Sequence, residues 1–100
     1  MSLAPEVKDM YDSREFNIEE RQRLADYYEE VGRQMSFQIE YDDYEEANFE
    51  PAIKMYHEVL TDKERGFVDE LCDYTIGWKY SDQDIVDLCE DLVKEMKGEL

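Results

Sequence analysis

Bases are scarce in this chain, and histidine, cysteine and glycine are scarcer. Eleven lysines and arginines face 28 aspartates and glutamates, a formal net charge of −17. That balance argues against direct binding of nucleic acid, whose phosphates would be repelled, and against anionic membrane surfaces. With one histidine, His57, and no CxxC or HExxH pattern, no histidine-based metal site is expected. The two cysteines, Cys72 and Cys89, do not make a disulfide framework. Both fall on apolar helical faces and read as reduced core residues. With four glycines there is no Gly-rich phosphate loop, nucleophile elbow or dinucleotide fingerprint. The acidic runs YDDYEEANFE and YSDQDIVDLCED lack the sixth-position glycine of an EF-hand loop. No apolar stretch reaches transmembrane length, and MSLAPEVKDMYD has no basic start followed by an apolar run. The expectation is a cytoplasmic non-enzyme without cofactor or metal.

What is present argues for a folded domain. Hydrophobic residues make up 42% of the 100 residues, enough for one modest core in a single domain spanning 1–100. The charge is segregated. Residues 1–34 carry nine acids and five bases, residues 35–50 six acids and no base, residues 51–66 three of each, and residues 67–100 ten acids and three bases. Uniform acidity would serve solubility; concentration into two regions is what a binding face looks like.

Helix signals dominate. Pro5 is placed to open a helix through about Met10. Asn17 with Glu20 and Thr61 with Glu64 have capping-box spacing, and Ser81 with Asp84 signals another helix start. Leu24, Tyr28, Val31 and Met35 form one stripe, and Gly32 weakens that helix without ending it. Ile53, Tyr56 and Leu60 share a face after Pro51, and Phe67, Val68, Leu71 and Cys72 follow at helical spacing. Ile85, Leu88, Cys89, Leu92, Val93 and Met96 form the clearest amphipathic stripe. Gly77 sits in a break near TIGWKY, Trp78 is expected to close the core, and Gly98 marks a C-terminal end. The fold class is therefore all-α, a compact domain of four to five helices. Phe37, Ile39 and Tyr41 alternate as in a strand, so a short strand pairing near 36–41 is the alternative.

The run FQIEYDDYEEANFEP (37–51) holds six acids, no base, and two tyrosines. If helical, its acids would lie about one per 2.7 Å, against one charge per ~1.7 Å of B-DNA axis. A second acidic helix, 82–97, would bring two such elements towards duplex density. Tyrosines add apolar area and a hydrogen bond without weakening the field. In size, charge, helical pattern and Tyr-studded acidic runs such as EYDDYEEANFE, the chain resembles the small acidic DNA-mimic inhibitors of phages and mobile elements, Ocr-like antirestriction and anti-CRISPR proteins. The resemblance implies a basic nucleic-acid-binding partner, such as a restriction or CRISPR nuclease, met in the host cytoplasm by a monomer or homodimer. The expected partner-binding residues are Glu40, Tyr41, Asp42, Asp43, Tyr44, Glu45, Glu46 and Glu50, with Asp82, Asp84, Asp87 and Asp91. The rival expectation is a small helical interaction module or regulatory subunit that docks on a basic partner near Trp78.

Overall fold

The computed structural model describes residues 3–40 and 53–98. Its helices are α1 (Pro5–Ser13), α2 (Ile18–Glu40), α3 (a short helix through 53–58), α4 (Asp62–Gly77) and α5 (Asp82–Met96). Among the described residues there is no strand, and the all-α class is what the chain adopts.

The helix starts follow the capping chemistry. The Glu20 N–H donates to Asn17 Oδ1 and the Asn17 N–H donates to the Glu20 carboxylate, both at 2.9 Å. Thr61 with Glu64 opens α4, and Ser81 with Asp84 opens α5, in the same reciprocal way. Each box satisfies two amides that the first helical turn leaves without partners. The helix ends are less regular. At the end of α4 the Lys79 N–H donates to Ile76 O at 3.1 Å and the Tyr80 N–H to Thr75 O at 3.0 Å. This is a Schellman motif, and it holds Lys79 at φ +55°. Gly77 is thus the last residue of α4 rather than the break; the left-handed position falls to a lysine. Glu15 occupies the equivalent position after α1 at φ +50°, and Gly98 after α5 at φ +74°.

The long helices α2 and α5 form the central antiparallel pair, with Glu29 of α2 bonded to Lys97 beyond the C-terminus of α5. Gly32 lies where α2 meets Cys89 of α5 closely: a Cβ built there would stand 3.2 Å from the Cβ of Cys89. That proximity accounts for a glycine inside a helix, where it costs about 1 kcal/mol relative to alanine. Helix α4 packs on the pair through Phe67, Val68 and Leu71, and α1 covers α4 with Val7 and Tyr11. Phe67 is the hub. Its ring centroid lies 6.0 Å from Tyr11, 5.6 Å from Phe16 and 6.3 Å from Tyr28, all edge-on.

Several expectations are corrected. Helix α1 runs three residues past Met10 to Ser13. The Phe37–Ile39 alternation is helical, because extending an established helix adds one hydrogen bond per residue whereas a strand there would need a partner. The strand pairing near 36–41 is therefore not formed through 36–40, and Tyr41 lies outside the described residues. Trp78 does not close the core; it is 67% exposed at the end of α4. Of the two cysteines only Cys89 is buried, and Cys72 is exposed. Burial pushes the Cys89 thiol up to about 12. Native protein titrated with a thiol reagent at pH 8 is accordingly expected to show one fast-reacting group, abolished in Cys72→Ser, and a second only after unfolding; two fast thiols would contradict this packing.

Candidate functional site

Among the described residues seven lysines and arginines form ion pairs, all with acids outside one particular row. Lys8 binds Asp12 and Glu95, Arg14 binds Glu70, Arg23 binds Glu64, Arg33 binds Glu30, Lys54 binds Glu58, Lys63 binds Glu20 and Lys97 binds Glu29. Asp84, Asp87 and Asp91 form no ion pair among the described residues. Their local bonds are the Asp84 cap on the Ser81 N–H and a 3.2 Å bond from the Gln83 amide to Asp87.

Helical phase puts these three on one side of α5, since spacings of three and four residues return to one face. They line a cleft of about 420 Å³ between α5 and the N-terminal segment, with Leu3, Ala4, Leu88 and Tyr80 as its apolar surface. The row spans about 10 Å of helix axis, roughly one charge per 5 Å. A single DNA strand carries one per ~3.4 Å, so this row alone is sparser than a strand.

The other expected site residues fall elsewhere. Asp82 sits two residues before Asp84, about 160° around the helix, and does not line the cleft. Glu40 is the last residue of α2, exposed, and the antiparallel pairing carries it to the end of the bundle where α5 begins. Tyr41, Asp42, Asp43, Tyr44, Glu45, Glu46 and Glu50 lie outside the described residues. The remaining acids of α5 do not extend the row. Glu95 is held by Lys8 at 2.8 Å, and Glu90 faces the opposite groove, between α2 and α5. That groove, of about 410 Å³, is bordered by Arg33, Lys94 and Lys97 as well as Glu29 and Glu90. One flank of α5 is thus purely acidic and the other is nearly balanced.

An aromatic cluster adjoins the acidic flank. Tyr74 lies 6.2 Å from Trp78 and 5.9 Å from Tyr80, centroid to centroid, so the rings run from the exposed indole to the cleft wall. The Schellman turn folds Tyr80 back onto the last turn of α4, which brings these rings together. Desolvation, aided by the neighbouring Tyr80 hydroxyl and Glu6, pushes the Tyr74 phenol up to about 12, so it stays neutral at physiological pH. This cluster is only half legible in the sequence. Trp78 and Tyr80 were visible in the helix break, but the non-glycine left-handed turn that turns the indole outward has no sequence signature.

His57 is half-buried with its ring 5.9 Å from Tyr27, a packing contact. Among the described residues no group of three or more His, Cys, Asp or Glu is placed to hold a metal ion, and no helix is long and apolar enough to cross a membrane. No protein-family model, curated protein or solved structure matches this chain.

Proposed function

We propose that this protein is a DNA-mimic inhibitor: it occupies the nucleic-acid-binding site of a host defence or DNA-handling protein, with restriction and CRISPR nucleases as the first targets to test. The observation that carries the reading is the row Asp84, Asp87 and Asp91 on one face of α5, without an ion pair among the described residues, in a fold where seven lysines and arginines neutralise other carboxylates. Unpaired like charges cost stability. Holding three of them together while Glu64, Glu20 and Glu30 are paired is useful where a cationic groove supplies the missing partners. The acidic run 40–50 begins at Glu40, the last residue of α2, and its sequence carries the six acids that the row lacks. The mechanism is steric and electrostatic competition, with association accelerated at low salt.

Binding should therefore behave like protein–DNA association. Against a nuclease retained from host lysate, affinity is expected to fall by a hundredfold or more between low and physiological salt, and duplex DNA should displace the protein from the same site. Replacing Asp42, Asp43, Glu45 and Glu46 with their amides should preserve the helical spectrum and slow association. Binding that is indifferent to salt, or a complex to which DNA binds simultaneously, would sink the reading.

The second reading, a helical module docking on a basic partner near Trp78, is favoured by the exposure of that indole. It predicts that Trp78→Ala is damaging and that the four neutralisations matter little.

A further inference from the structure

Trp78 is joined to the acid-lined cleft through the rings of Tyr74 and Tyr80, and the two features together select a particular kind of cation. We propose that the α4–α5 corner is an arginine-recognition surface for an extended basic segment of the partner: one guanidinium stacks on the Trp78 indole and another enters the cleft among Asp84, Asp87 and Asp91. The inference rests on the reading above in one respect, that the partner is basic.

Three observations lead to arginine rather than to cations in general. Trp78 is exposed, is packed on one side by Tyr74 at 6.2 Å, and is the single tryptophan of the chain. Tyr74 meets the indole at a tilt of 46°, and an exposed indole face is the best aromatic surface for a planar guanidinium, which stacks as well as attracts. The cleft surface is apolar through Leu3, Ala4 and Leu88, which suits the aliphatic stem of a long basic side chain. Its rim carries three carboxylates that form no ion pair among the described residues, and carboxylates take guanidinium groups in two-pronged hydrogen bonds that an ammonium cannot make. Tyr80 belongs to both parts, since it packs on Tyr74 and lines the cleft. The neighbouring base, Lys79, is fixed in the left-handed turn between the two aromatic residues.

The test uses an oligo-arginine and an oligo-lysine peptide of equal length, titrated into the intact protein by calorimetry at physiological salt. Any strongly acidic protein binds both, so the readout is their ratio. The arginine peptide is expected to bind about fivefold more tightly. Trp78→Ala, a surface change that leaves the core untouched, should lower the ratio clearly, leaving only what the cleft carboxylates contribute, and Trp78→Phe should retain more of it. The triple change Asp84→Asn, Asp87→Asn and Asp91→Asn should weaken arginine binding more than Glu19→Gln, Asp26→Asn and Asp69→Asn, which remove the same charge away from the cleft. In the wild type, Trp78 emission should shift to the blue with the arginine peptide. A ratio of one in the wild type, a ratio unchanged in Trp78→Ala, or equal loss from the two triple variants would each overturn the proposal. These outcomes are separable from failure of the mimicry reading. If DNA fails to compete for the nuclease while the arginine preference persists, only mimicry falls; if the preference is absent while DNA competes, only the arginine surface falls.

Discussion

Replacing Arg23 with methionine is expected to strand the Glu64 carboxylate and lower stability by about 2–4 kcal/mol, towards the lower part of what breaking a buried pair costs. Glu64 is the one fully buried acid of the described residues. Arg23 Nε donates to both of its oxygens at 3.0 Å, and Nη2 donates to Oε2 at 2.7 Å. The Thr61 N–H donates to Oε1 at 2.8 Å and remains in the variant. Arg23 itself is about a third exposed, which lets water reach the pair and trims the penalty. Burial alone would raise the Glu64 pKa, but the Arg23 and Thr61 hydrogen bonds hold it below its ordinary 4.5. In the wild type the pair therefore contributes stability that is present above that ordinary value and is lost as pH falls through the lowered one. In the variant burial dominates, the folded pKa rises, and the penalty shrinks as acid protonates the carboxylate. Urea melts at pH 7 and pH 5 should thus show the gap between variant and wild type narrowing with acidification. A cost under about 1 kcal/mol, or a gap indifferent to pH, would show that Glu64 is less desolvated than its surroundings indicate.

This bridge illustrates what the sequence discloses and what it hides. Thr61 with Glu64 reads as a capping box, and so it is. That the same carboxylate also receives an arginine 41 positions earlier is tertiary information. No local pattern announces it, because a capping glutamate is ordinarily solvated. The same applies to Glu30, buried with Gln34 on α2 at 2.8 Å, where an amphipathic stripe would have put apolar side chains. Helix starts were legible because an N-cap is a short-range hydrogen bond written in three or four residues. Two helix ends were not, because Glu15 and Lys79 take the left-handed position without glycine, a backbone state tolerated when the following residue packs well. The acidic face was legible as charge, but its shape was not. Composition counts six acids between 82 and 97, and only helical phase and long-range pairing reduce them to the row Asp84, Asp87 and Asp91. Cys72 and Trp78 are both exposed, although residue type favours burial, because type does not say which face of α4 its neighbours cover.

Phe67→Ala should be the most damaging single change to the core, at about 3–5 kcal/mol. The side chain is fully buried and its ring meets Tyr11 from α1, Phe16 from the α1–α2 turn and Tyr28 from α2, while the Arg14 guanidinium lies 5.7 Å from its centroid. Truncation removes contacts to three separate chain segments, and rings held by helix backbones cannot all close on the space. Domains of this size have about 5–15 kcal/mol in total, and here like-charge repulsion at −17 lowers that figure. The variant is therefore expected to be partly unfolded at low ionic strength. Added salt screens the repulsion in folded and variant protein alike, so raising sodium chloride from about 10 mM to 500 mM should restore much of the helical signal of Phe67→Ala and raise the melting temperature of the wild type. Phe67→Leu, which keeps most of the volume, should need no rescue. If the alanine variant melts within a few degrees of wild type at low salt, Phe67 is not the hub. If salt lowers the melting temperature of both, surface repulsion is not what limits this fold, and the acids of α5 that form no ion pair among the described residues cost less than like-charge repulsion implies.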